Sequence, residues 1–179
     1  MNEQHYFESY RKLRDDIDIQ ANRLEKIHKE HMECKKGCDS CCIDYSILPI
    51  EFFYILNALK KIKISLPDLN PGIKDKCTFL SGHSCTIYEH RPIICRTHGL
   101  PLIFMNDDNE WELSACQLNF AKFDFNEFSL ENTYQQDLYN SKLFMLNKEY
   151  LNQLKKDQFG EFELLPLTTL KQFLFSCKS

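Results

Sequence analysis

Cys34-Lys-Lys-Gly-Cys38-Asp-Ser-Cys41-Cys42 packs four thiols into nine residues, and its reading decides what kind of fold this chain builds. Thiolates are soft ligands, so four this close either pair as disulfides or hold a soft metal. Of nine cysteines, eight fall between residues 34 and 116, the others being Cys77, Cys85, Cys95 and Cys116. Cys177 stands apart. Disulfide scaffolds are usually short, secreted and even in cysteine count. Here the count is odd, and the opening Met-Asn-Glu-Gln-His-Tyr-Phe-Glu offers no apolar run that could serve as a signal sequence. No stretch approaches the length of a membrane span. The expected location is therefore the cytoplasm, where clustered cysteines read as metal-binding or redox residues.

The spacing itself has a physical consequence. Cys38, Cys41 and Cys42 stand at i, i+3 and i+4, so one helical turn would stack three sulfurs on a face. Gly37 is free to take the backbone conformation that folds Cys34 back toward them. Thiolates placed this way repel one another, and only a cation makes the arrangement favourable. All-thiolate sites suit both zinc and iron, so the expected cofactor is zinc or iron, a 4Fe-4S cluster being one form of the latter.

Working outward, residues 4–33 predict one long helix. Tyr6, Tyr10, Leu13, Ile17, Leu24, Ile27 and His31 form its apolar stripe, with charges between. The seven-residue period allows a homodimer through this N-terminal helix as an alternative to packing on the chain's own core. His28 and His31 lie near Cys34, but an interfacial helix histidine is commoner than a ligand. Ile43–Leu48 reads as a short extended piece, and Pro49 opens a helix to about Lys63 with Phe52, Phe53, Leu56, Leu59 and Ile62 inward. Pro67, Asn70, Pro71 and Gly72 mark a loop. Cys77-Thr-Phe-Leu and Cys85-Thr-Ile-Tyr predict a hairpin across Ser81–Ser84. A regular ladder sets Cys85 opposite Leu80, leaving the two thiols about 10 Å apart on opposite faces. They then serve different metal positions, or the hairpin is distorted. Pro92 begins a short helix carrying Cys95, and Gly99 ends it. A second hairpin, Leu102–Met105 with Glu110–Leu113, turns on Asn106–Asn109 and delivers Cys116. Thr133 and Gln136 suggest a capping box for a helix to about Lys156. A last helix follows Pro166, with Cys177 a buried small hydrophobe on the face of Leu167, Leu170 and Phe173 or Leu174.

The fold class is thus mainly α with two short β-hairpins: a small metal-centred α+β cysteine-cluster domain flanked by N- and C-terminal helices. The expectation is a single domain over 1–179, with an N-terminal helix at 1–33, a cysteine core at 34–116 and a helical part at 117–179.

These residues resemble the CxxxCxxCC cysteine-cluster family (YkgJ-type), described as zinc- or iron-chelating. The matching elements are Cys34/Cys38/Cys41/Cys42, Leu48-Pro49-x-Glu51, Cys77-x-Phe-Leu, and Cys85-x-Ile-Tyr88-x-x-Arg91-Pro92-x-x-Cys95-Arg96, with a later Cys116. The resemblance implies metal chelation by all eight: Cys34, Cys38, Cys41, Cys42, Cys77, Cys85, Cys95 and Cys116. The same block occurs in flagellin lysine-N-methylases, which implies an iron–sulfur-dependent enzyme as one alternative. Cys34-x3-Cys38-x2-Cys41 also matches radical-SAM spacing, but Ser40 replaces the usual aromatic and the repeated strand–helix units of that barrel are missing. A metal-stabilised interaction module is the other alternative.

Several classes are excluded by what surrounds the cysteines. The formal net charge of −4 is spread evenly, so no basic stripe is present to neutralise a phosphate backbone, and nucleic acid and membrane are not expected partners. There is no Gly-rich phosphate loop, nucleophile elbow or HExxH. His98 and Glu89 near Cys95 are the candidates to flank an open metal position. Arg91, Arg96 and Glu51 suggest a structural ion pair holding the helix after Pro49. A hydrophobic content of 43%, with 14 Phe and 8 Tyr, suffices for an apolar core, so metal need not be the only source of stability.

Overall fold

The computed structural model describes residues 2–35, 37–62, 76–154 and 158–175. In chain order the helices and strands begin with α1 (Glu3–Ile27), β1 (Ser46–Ile47), α2 (Pro49–Ile62), β2 (Leu80–Ser81), β3 (Ser84–Cys85) and α3 (Ile93–Thr97). They continue with β4 (Leu102–Met105), β5 (Trp111–Ser114), β6 (Tyr134–Gln135), α4 (Gln136–Gln153), β7 (Leu165–Pro166) and α5 (Leu170–Phe175). The architecture is mainly helical with small strand pairs, as the sequence predicts. No described helix is long and apolar enough to cross a membrane. The loop expected around Pro67–Gly72 and the burial expected of Cys177 lie outside the described residues.

The chain forms two compact units, each assembled from stretches distant in sequence. The first contains Met1–Tyr10, Lys36–Pro92 and Phe144–Ser179. Its core is the inner face of α2 (Phe52, Ile55, Leu56, Leu59) with Ile47, Phe79, Ile87, Leu167 and Leu170. α5 closes on α2, with Phe52 edge-on to Phe173 at 5.4 Å. β1 and β7 pair antiparallel, Ser46 opposite Pro166 and Ile47 opposite Leu165. The first residues of α1 pack here too, Tyr6 edge-on to Tyr150 of α4 at 5.8 Å. The start of α2 leaves backbone N–H groups without an intrahelical partner. Fully buried Asn147 satisfies one, its Oδ1 accepting from Ile50 N at 3.0 Å. Phe53 is only half-buried and Ile62 exposed, while Ile50 and Ile55 take the inward positions. The buried face is therefore turned slightly from the predicted one, toward Ile50 and Ile55.

The second unit contains Arg11–Lys35 and Ile93–Leu143. Leu13, Ile17, Ala21 and Leu24 of α1 are buried here. The expected stripe fails at its end, because Ile27 is half exposed and His28 is buried instead. A heptad pattern drifts against a straight helix of 3.6 residues per turn; the positions 17, 21, 24 and 28 follow the true helical period. α1 also ends earlier than expected, and Lys29–His31 is a separate 3₁₀ turn. The β4–β5 hairpin has Met105 opposite Trp111 and Leu102 opposite Ser114. β6 adds a parallel strand on the other side of β4. That strand displaces the predicted capping box: Thr133 Oγ1 donates to Ser129 O at 2.6 Å, and α4 begins only at Gln136.

Candidate metal centre

Five of the eight cysteines lie in the first unit. The Cys38–Cys42 segment is a turn, not the helical turn expected, closed by Cys42 N donating to Asp39 O at 3.0 Å. Gly37 precedes it with φ +98°, the left-handed conformation that reverses the chain. Asp39 anchors the turn: its carboxylate meets His83 Nδ1 at 2.8 Å and Lys76 Nζ at 3.5 Å. The His83 contact holds the Asp39 carboxyl below its ordinary value. A backbone bond, Cys77 N to Cys42 O at 3.0 Å, then joins the turn to the second cysteine segment. Thr78 N donates to Asp44 Oδ1 at 2.9 Å, a second tie between the same segments.

The predicted register of the first hairpin is present, Cys85 opposite Leu80. Gly82 and His83 both have positive φ, the geometry of the two-residue hairpin turn whose twist matches its strands. However, the ladder spans two residues per strand. Cys77 lies before it, in a turn where Leu80 N donates to Cys77 O and Phe79 N to Cys77 Sγ. The hairpin is therefore the distorted alternative, and Cys77 is not carried to the far face of an extended strand. Cys77 is buried, and half-buried Cys42 and Cys85 pack against the same core.

The electrostatics couple these sulfurs. Burial pushes the Cys42 thiol up to about 11, and the neighbouring Cys41, Cys77 and Cys85 sulfurs, with Asp39, push it the same way. Burial also raises Cys77 to about 11, countered in part by the Phe79 N–H, while Asp44 and Cys85 add to the rise. Cys85 is raised by burial, against the Ile87 N–H and Arg91. Arg91 lies over the Tyr88 ring at 3.8 Å. Cys38 and Cys41 are exposed.

Cys34, Cys95 and Cys116 lie in the second unit. Cys95 is on α3, and Gly99 ends that helix with φ +92°. A Cβ on Gly99 would stand 2.9 Å from both Cys34 Sγ and Asn119 Nδ2, so Cys34 lies directly against the end of α3. Asn119 ties the group together, as its Oδ1 accepts from Glu33 N and Cys34 N at 3.0 and 3.1 Å. Its Nδ2 donates to Gly99 O at 2.7 Å and to Cys34 Sγ at 3.2 Å. Its own backbone N donates to Cys116 O at 3.0 Å. Next to the Cys95 ligand candidate, Arg96 pairs with Asp18 of α1 through 2.7 and 2.8 Å contacts. Glu51, in the first unit, accepts from Tyr10 Oη at 2.8 Å.

The two histidines expected to be interfacial are so. His28 contacts Asn132 O at 2.6 Å and is edge-on to Phe120, Phe123 and Phe128, while His31 is edge-on to Phe123. His98 is half-buried, and burial lowers its pKa; Glu89 is exposed, in a 3₁₀ turn of the first unit. Sequence reasoning missed Asp39, Asp44, Asn119 and Asp18. All four are ordinary polar residues whose importance comes from partners far away in sequence, which no local spacing reveals.

Among the described residues, no three His, Cys, Asp or Glu donors stand together at coordination geometry. The donor set nevertheless fits a thiophilic metal. Thiols are soft donors that suit zinc and iron alike, and Cys42, Cys77 and Cys85 pack against one core, with Cys77 N bonded to Cys42 O at 3.0 Å. No curated protein and no solved structure matches the chain. Residues 33–117 match the model of the CxxCxxCC family, whose description is "putative zinc- or iron-chelating domain". The match starts one residue before Cys34 and ends one after Cys116, so the segment that carries the eight clustered cysteines, a little under half of the chain, is similar to this family of cysteine-cluster domains.

Proposed function

We propose that the chain chelates zinc or iron through two thiol sets, one in each compact unit. The first comprises Cys41, Cys42, Cys77 and Cys85, with exposed Cys38 on the same loop. The second comprises Cys34, Cys95 and Cys116. The observation that carries this reading is the convergence of Cys42, Cys77 and Cys85 on one core, where Cys77 N donates to Cys42 O at 3.0 Å; burial first, and then the neighbouring sulfurs, raise the Cys42 thiol. Such a grouping is unfavourable as thiolates without a cation. A bound metal ion would supply the positive charge that displaces the thiol protons and offsets their repulsion. The chain's own part is to bring the donors together. Asp39 holds the first loop to Lys76 and His83, and the Cys77–Cys42 backbone bond holds the second segment to the first. Burial of Cys77 and half-burial of Cys42 and Cys85 against an apolar core limit water at these three sulfurs, which favours a closed structural site over an open catalytic one.

The test is an anaerobic preparation of the full chain, analysed for metal, acid-labile sulfide and visible absorbance. Colourless protein with two zinc ions per chain is expected for mononuclear sites, and brown protein with sulfide assigns an iron–sulfur cluster to one of the sets. Serine variants then locate the metal: Cys42→Ser should remove it from the first set and Cys95→Ser from the second. A chain that holds neither metal overturns the reading, as does one that keeps its full load in both variants.

A further inference from the structure

We infer that Asn119 is a positioning residue for the thiol set of Cys34, Cys95 and Cys116, holding the Cys34 sulfur at the end of α3 and donating a hydrogen bond to it. This rests on the two-set reading above. Asn119 is 4% exposed, and a side-chain amide offers two donors and two strong acceptor positions. All are used: Oδ1 takes two N–H groups, and Nδ2 gives one hydrogen to Gly99 O and the other to Cys34 Sγ. The network also fixes the orientation of the amide, because a flip would turn its NH2 toward two N–H groups and its oxygen toward a carbonyl.

Three of these contacts organise backbone. Glu33 N, Cys34 N and Gly99 O would be satisfied whatever the state of the sulfur. The fourth is different in kind, since a sulfur accepts a hydrogen bond weakly as a thiol and more strongly as a thiolate. The residue that fixes the Cys34 backbone is therefore also aimed at its ligand atom. Its backbone N–H donates to Cys116 O, so the same residue is tied to the backbone of a second cysteine. Groups that hydrogen-bond metal ligands typically change metal affinity by about 10- to 100-fold when replaced. Asn119 lies two positions beyond the matched segment 33–117, so the inference concerns this chain rather than the family that segment resembles.

The discriminating variant is Asn119→Asp, nearly isosteric but unable to donate when ionised and repelled by a thiolate. The full-length chain is loaded with cobalt(II), and each ion is followed by its sulfur-to-cobalt charge-transfer band and by competition with a chelator. Asn119→Asp should weaken one cobalt ion by about tenfold or more and shift its band, leaving the ion lost in Cys42→Ser untouched. Full affinity and an unchanged spectrum with a lower melting temperature would make Asn119 a packing residue and overturn the proposal. An unchanged cobalt count in Cys95→Ser is a different failure, removing the three-thiol set and the proposal with it. If the aspartate variant does not fold, the wild-type chain carries the test. With labelled nitrogen and NMR-active cadmium, a scalar coupling between the Asn119 side-chain amide and cadmium supports the proposal. Its absence with cadmium bound at Cys34 overturns it.

Discussion

Burial acts on Cys42 and Cys77 in the same direction, raising each thiol from 9.0 to about 11. In the unfolded chain these thiols lose their protons near pH 9, whereas in the folded, metal-free chain they keep them until about pH 11. Between those values the unfolded state binds fewer protons, so stability falls as pH rises. It is fully present below pH 9. The metal-stripped protein should therefore melt progressively lower from pH 9 to pH 11, while the loaded protein, its thiols already deprotonated, should show no such slope. A flat profile for the stripped protein would contradict the burial of these thiols. Loading metal at neutral pH should release protons, measurable by titration at constant pH. Glu51 allows a contrasting test, because it is 3% exposed and accepts the Tyr10 hydroxyl. Glu51→Gln should cost roughly 1–2 kcal/mol by weakening a charge-assisted bond and leave metal stoichiometry unchanged; lost metal at an unchanged melting temperature would refute that role. At this scale the ligand candidates were legible, because cysteine has few other reasons to cluster. Asp39 and Asn119 were not, since Asp and Asn are common in loops for many reasons.

Helices and turns were legible where one local rule dominates. Pro49 starts α2, Gly99 ends α3 with a positive φ, and the Gly82-His83 turn sets the register that places Cys85 opposite Leu80. Long-range pairing overrode local grammar elsewhere. Tyr134 and Gln135 look like the entry to a capped helix, yet they lie parallel to Leu102 and Ile103 as a strand. β1 and β7 find each other across more than a hundred residues, and neither is long enough to announce itself. At α3 the local and distant requirements coincide. Gly99 needs its left-handed backbone, and its missing side chain leaves room for Cys34 Sγ and the Asn119 amide. Gly99→Ala should therefore cost more than the ~1–2 kcal/mol of the backbone conformation alone. It should also weaken metal at the second thiol set, read as a lower melting temperature together with a reduced metal count. A stable variant at full load would show that the contact is not needed.

For the molecule as a whole, the balance between apolar core and metal decides what chelation does. The first unit fully buries Phe52, Ile55, Leu59, Phe79 and Leu170, and the second buries Ile17 and Leu24 as completely. Each such side chain contributes roughly 1.5–3 kcal/mol, so in both units apolar side chains supply burial that does not depend on the sulfurs. Removing metal with a strong chelator should lower the melting temperature but leave most of the far-ultraviolet helical signal. A random-coil spectrum would instead make metal the main source of the fold. The discontinuous make-up of the units also bears on the order in which the chain is born. All of the second unit has been synthesised once Leu143 is in place, whereas the first still awaits residues 144–179, including the Asn147 that caps α2 and the strand that joins β1. On the ribosome, Cys34, Cys95 and Cys116 thus have their complete surroundings while Cys42 and Cys77 are still waiting for theirs. A newborn chain has a first and a second opportunity to take up metal, separated by the time needed for residues 144–179 to follow.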